Sequence, residues 1–268
     1  MSSNPVSRVV SRDRPAAVSP VSDFQTHLSA LYAQSQQNNY LFGSPLGPFF
    51  HEGRHAHLPR FVFFGPSASD DSWRLAFLAG YDHRDLRASR ALLRLAGRLA
   101  GNAEEGQGLN LSFFPLVDAA GFYLGAPYRA LGHQHWGRSL SPEINLLEKD
   151  ARLRGYHGFI RVEASAEEDE IIVIEVRHPR GAVNSPDLEL ISSEETEPYP
   201  VRFECHPSPA TVTAGPLSVS DDLLFHPFEL VLRMPAAWPD DLHDEAVSLI
   251  LTRFIHRYRA FQAYGQHL

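Results

Sequence analysis

The chain has a single cysteine, Cys205, among its 268 residues. One thiol excludes an internal disulfide and a cysteine-based zinc site, and a free cysteine is more often a small buried hydrophobe than a nucleophile. Positive charge is also scarce: 24 Lys and Arg stand against 32 Asp and Glu, a formal net charge of −8. Nucleic acids and anionic membrane surfaces therefore find no electrostatic support and are not expected as partners. The 14 histidines would make the balance less negative only on acidification. No apolar run approaches membrane-spanning length. Arg8, Arg12 and Arg14 are followed by no apolar stretch, so nothing there resembles a secretory signal. The expectation is a soluble, cytoplasmic protein.

A composition that is 43% hydrophobic and 21% charged marks a globular chain, long enough for one large α/β domain or two small ones. Residues 1–21, rich in Ser, Pro and Arg without periodicity, are expected to be a disordered arm. Residues 22–268 are expected to form one domain. Ser22 is placed as the cap of a helix from Asp23 to about Gln36, with Phe24, Leu28 and Leu31 on one face. Leu41 to Pro59 suggests a hairpin or two short edge strands, and Phe61 to Gly65 a strand.

Leu75 to Ala79 is a short apolar run of the kind that forms a buried strand. Gly80 breaks it, Asp82, His83, Arg84 and Asp85 follow, and Ala88, Ala91, Leu92, Leu95, Ala96 and Leu99 then recur at helical spacing. A strand that enters a charged turn and then a helix puts those charges at the carboxyl edge of a sheet, where open α/β folds keep their ligand sites. Further strands are expected at Leu109–Phe114, Gly158–Glu163, Ile171–Val176 and Phe228–Arg233. Ser141-Pro142-Glu143 starts a helix that Gly155 ends. A last amphipathic helix runs from about Asp241 to Phe261. Residues 178–222, rich in Pro, Ser and acid, are expected to be a long insertion, with Val201–Glu204 as a short strand inside it. The alternation of strands and helices implies a three-layer α/β/α domain with a mixed, mostly parallel sheet.

Four stretches, in order, carry a family resemblance: Ala79-Gly80-Tyr81-Asp82-His83-Arg84-Asp85; Pro115 to Phe122; Ser139 to Glu143 with the strand Ile160-Arg161-Val162-Glu163; and Phe228 to Pro235. They resemble, respectively, the A-G-x-H-G-D-E strand end, the P-x-x-N-P-x-G-F turn, the S-x-x-P-E helix start with its I-x-L-H strand, and the E-x-P strand end of the zinc-carboxypeptidase superfamily. Within that superfamily the resemblance is closest to the succinylglutamate desuccinylase/aspartoacylase-like branch.

The resemblance implies that Asp82 and Asp85 stand at the first two metal-ligand positions, Glu163 at the third and Arg233 at the general base. All four residues differ from the family's. Zinc is suited by imidazoles and one carboxylate, and here both imidazoles are gone. A guanidinium has no acceptor lone pair, so Arg233 cannot take a proton from water. Three convergent carboxylates need a countercharge, and Arg233 in the metal's place supplies one; the alternative is a hard cation, Mg, Ca or Mn, on all-oxygen ligands. On the substrate side the resemblance implies Arg129, or Arg138, as the carboxylate grip.

His51, Glu52, His55 and His57 form a local cluster on a loop, and His133 and His135 alternate as cleft-lining residues would. The functional expectation is a degenerate carboxypeptidase-like protein without hydrolytic activity, whose cleft binds a small molecule or peptide, with no cofactor and no zinc. The alternative is a metal-dependent carboxypeptidase- or amidase-like hydrolase with a non-zinc, carboxylate-rich site. A structural subunit without a ligand is the third class.

Overall fold

The computed structural model describes residues 20–165, 170–177, 196–206, 214–224 and 227–265, and the side chains of 20, 205, 206 and 261–265 lie outside that description. Most of the expected arm and most of the expected insertion therefore fall outside the described residues, as does the Cys205 side chain.

An eight-stranded sheet runs in the order β1 (Leu41–Gly43), β4 (Phe61–Phe64), β6 (Leu109–Phe114), β5 (Trp73–Leu78), β7 (Gly158–Ala164), β10 (Phe228–Met234), β8 (Ile172–Arg177) and β9 (Val201–His206). The four central strands are mutually parallel, and both flanks turn antiparallel, at β4 against β6 and at β8 against β10. A second sheet is the hairpin of β2 (Leu46–His51) and β3 (Arg54–Leu58). Its turn residues Glu52 and Gly53 both have positive φ, which matches the twist of the flanking strands.

One face of the sheet carries α1 (Pro20–Ser35), α2 (Arg87–Gly101) and α5 (Asp240–Gly265); α3 (Ala119–Leu124) and α4 (Pro142–Arg154) belong to the other. The alternation of strand side chains explains the two cores. Leu75 and Phe77 of β5 join Leu92 and Leu95 of α2 and Ile250 and Phe254 of α5, whereas Ala76 and Leu78 face Ile144 and Leu147 of α4. Both cores are fully buried, which makes the domain three-layered α/β/α.

One local expectation is corrected and another is met. Helix α1 starts at Pro20, so Ser22 lies in its first turn and is not the cap; proline's fixed φ suits that first turn. The short strand expected at Val201–Glu204 is present as the edge strand β9, two residues longer, parallel to β8.

One histidine is tied to the fold. The Arg74 N–H donates to His157 Nδ1 at 3.1 Å, and the ring packs on Trp73 at 4.6 Å. Burial first, and then the Arg74 charge, lower its pKa from 6.5 to about 4. The unfolded chain thus takes the proton first, so this group's contribution is present above about pH 6.5 and is lost as the pH falls towards 4. In His157→Gln, thermal denaturation between pH 6.5 and 4 is expected to depend less on pH than in the wild type; an unchanged slope would assign that dependence to other groups.

Candidate functional site

Strand β5 ends at Leu78, and its exit is clamped to the turn that follows β6. Ala79 N–H donates to Phe114 O, while Val117 and Asp118 N–H donate to Ala79 O and Gly80 O. Gly80 has φ +67, and a Cβ there would come within 2.9 Å of both Leu116 Cα and Pro115 O. Only glycine fits so close to fixed backbone. The clamp holds Asp82 to Asp85 at the carboxyl edge of the parallel strands, beside the ends of β7 and β10.

A polar cavity of about 470 Å³ opens at that edge, lined in part by Asp82, Asp85, His133, Glu163, Arg233 and His243. The structure thus brings Asp82, Asp85, Glu163 and Arg233 to one cavity. It does not join them into one cluster. Asp82 pairs with Arg84 at 2.6 Å, and this hydrogen bond first of all holds its carboxyl below the usual range. Asp85 pairs with Arg87 at 2.6 Å, and that pairing outweighs the burial that would raise its pKa. Both aspartates thus find arginines two residues on, so the expected Arg233–Asp82 neutralisation is not what the geometry provides.

Glu163 does meet Arg233, at 3.2 Å, and it also meets Arg161, at 2.8 Å. These two contacts belong to a larger arrangement. Arg161 reaches Glu229 at 3.3 Å, Glu229 reaches Arg177 at 3.3 Å, Arg177 holds Glu175 at 2.8 Å, and Glu175 holds Arg233. The six side chains form a closed ring of alternating charge on one face of β7, β10 and β8. Cross-strand register builds it, because Arg233 lies opposite Glu163 and Glu229 opposite Arg177.

The ring is deepest at Arg161 and Glu229, 2% and 0% exposed. Burial raises the Glu229 pKa despite both arginines beside it. At Glu163 and Glu175 burial acts the same way, but the neighbouring guanidiniums win and lower the pKa. Arg161 also donates to Gly132 O at 3.0 Å and lies over the Tyr81 ring at 5.1 Å. Gly215, with φ +70, covers the ring from above; a Cβ there would sit 3.2 Å from Glu229 Oε1 and 3.3 Å from Arg161 Nη1. Arg161, Glu175, Arg177 and Glu229 were missed from sequence. Their signal was present, since β7, β8 and β10 each carry two charges on one face of an otherwise apolar strand, two residues apart in β7 and β8 and four apart in β10.

The residues expected on the substrate side lie elsewhere. The guanidinium of Arg129 is turned inward, 2.8 Å from Asp118 and also bonded to Glu143. Asp118 further accepts from Gly121 N–H, as an N-cap of α3, and lies 2.6 Å from His83 Nδ1. Gly121 permits that approach, because a Cβ would stand 2.2 Å from the imidazole. Arg129 and the exposed Arg138 line a second cavity of about 610 Å³, together with His51 and His135. His133 alone of the two alternating histidines reaches the first cavity. His51 and His55 do not share a face as a metal pair, because the hairpin turn separates them and His55 lies opposite Phe50. Among the described residues, no group of three or more His, Cys, Asp or Glu is arranged to hold a metal ion, and no helix is long and apolar enough to cross a membrane.

No family model matches the chain, and no curated protein matches it. Solved structures do. A metallo-carboxypeptidase from Burkholderia cenocepacia aligns at 14% identity over 87% of this chain and 68% of its own, with a TM-score of 0.66. A metallo-carboxypeptidase from Pseudomonas aeruginosa aligns at 12% identity over 85% and 67%, with a TM-score of 0.60. Bovine thrombin-activatable fibrinolysis inhibitor aligns at 10% identity over 90% and 97%, with a TM-score of 0.61. The mixed eight-stranded sheet and its two helical layers are those of the metallo-carboxypeptidase fold.

Proposed function

We propose that the protein is a carboxypeptidase-fold protein without hydrolytic activity, whose carboxyl-edge cleft serves to bind a polar small molecule or a peptide. The observation that carries this reading is the closed charge ring. It takes in Glu163 and Arg233, the residues that the sequence resemblance sets at the third metal ligand and at the general base. Zinc does not fit the residues present. The donors at the resembling positions are three carboxylates and no imidazole, each already held by a guanidinium, and a fixed arginine charge repels a cation at that corner. Arg233 has no lone pair to accept a proton from water, so the general-base step has no agent at that position.

The rest of the cleft supports binding. Asp82, His133, Arg202 and Glu204 present both signs of charge to a space large enough for a small polar ligand. The motif resemblance to the desuccinylase/aspartoacylase-like branch suggests an acylated amino acid or a similar acid as the ligand type. The test is elemental analysis by plasma mass spectrometry of untagged protein after dialysis against Zn, Mn, Mg or Ca, alongside hydrolysis assays on peptides and N-acyl amino acids. No stoichiometric metal and no turnover are expected. One retained equivalent of any of these metals, or turnover that a chelator abolishes, would replace this reading with that of a working metallohydrolase on the carboxylates.

A further inference from the structure

The sequence cluster of His51, Glu52, His55 and His57 contains one pair that the fold does bring together. His55 and His57 stand two residues apart on β3, so their side chains leave the same face of the hairpin. Both are exposed, with ring centres 6.5 Å apart and ring planes at 88°. Neither imidazole makes a hydrogen bond or an ion pair among the described residues. The cross-strand neighbour of His55 is Phe50, 69% exposed, whose side chain has no polar group to compete. Arg54 belongs to the other face of the strand and donates to Tyr123 O at 3.1 Å and Leu124 O at 3.3 Å. Its charge is thus engaged away from the pair.

We propose that His55 and His57 chelate one borderline divalent transition metal, Cu(II) ahead of Ni(II) and Zn(II). Imidazole suits these ions, and copper heads the affinity order for a given set of nitrogen ligands. An imidazole nitrogen stands about 2 Å from its metal, which sets two rings at adjacent coordination positions with their centres about 5 Å apart. Side-chain rotation of two exposed residues closes the present separation without moving the strand. Water fills the remaining positions of the ion. Mg, Ca and Mn are not expected here, because they prefer oxygen ligands and the pair supplies none. Neither histidine lines the cleft, so the site stands whether or not the cleft retains any chemistry.

Titration calorimetry of the untagged protein with Cu(II) in a non-coordinating buffer, with electron paramagnetic resonance of the loaded sample, tests this. One equivalent coordinated by two imidazole nitrogens is expected. His55→Gln and His57→Gln, both at exposed positions, should each weaken that binding by about tenfold or more, at least the cost of losing an outer-shell partner of a metal site. His51→Gln, on β2 beyond the turn, should bind copper as the wild type does. An equivalent of zinc retained by the wild type and lost in His57→Gln would likewise belong to the hairpin and not to the cleft carboxylates. No saturable copper binding, or binding unchanged in both His55→Gln and His57→Gln, overturns the proposal.

Discussion

Arg161→Met is expected to destabilise the protein by about 3–5 kcal/mol, the usual penalty for removing one partner of a buried ion pair. The cation leaves behind Glu229, 0% exposed, and Glu163, each with only one arginine left at hydrogen-bonding or ion-pair distance. Methionine fills the volume, so the loss is electrostatic and not a cavity. Arg84→Met serves as the contrast: Arg84 pairs with Asp82 in the open, 61% exposed, where solvent screens the pair, so its loss is expected to be far smaller. The double variant Arg161→Met/Glu229→Leu removes one charge of each sign. It leaves the neutral string Glu163–Arg233–Glu175–Arg177, and is expected to recover most of the loss. Chemical denaturation of the wild type, Arg84→Met, Arg161→Met, Glu229→Leu and the double variant decides. A double variant as unstable as the sum of its single variants would show that the two side chains do not couple, and the ring would then be a coincidence of position.

Phe77→Ala is expected to lower stability by a comparable amount, about 3–5 kcal/mol, for a different reason. Phe77 is 0% exposed on the central strand β5 and stacks on Phe113 of β6, with ring centroids 5.0 Å apart. It is pinned between the sheet and the α2 and α5 layer, so truncation leaves a void that neighbours on rigid strands cannot close. For a domain of this size the melting temperature should fall by about 6–20 °C. A shift under about 3 °C would mean that the core repacks around the missing ring.

The two experiments separate what could be read from the chain in one dimension from what could not. Phe77 was legible. Leu75 to Ala79 is an unbroken apolar run bounded by Gly80, and the α2 stripe from Ala88 to Leu99 has the period of a buried helix face. Ser141-Pro142 and Gly155 marked both ends of α4 for local steric reasons. These signals depend on neighbours within a few residues, and they were sufficient to give the layers and the carboxyl-edge location of the cleft. The strand β9 was only partly legible, because an edge strand need not be apolar on both faces.

By itself, then, the sequence determined an α/β/α domain, the position of Asp82, Asp85, Glu163 and Arg233 at one edge of its sheet, and the loss of any proton acceptor at residue 233. Only the tertiary structure decided which charges meet. Arg161 and Glu229 are 68 positions apart by their numbers, and nothing local tells that β10 lies between β7 and β8, or that β8 runs antiparallel to it. Because Coulomb attraction weakens with distance, that register decides the cross-strand pairs: it sets Arg233 against Glu163 and Arg177 against Glu229, and it brings Arg161 within reach of Glu229 and Glu175 within reach of Arg233. The same register leaves Asp82 and Asp85 to the arginines two residues along their own turn.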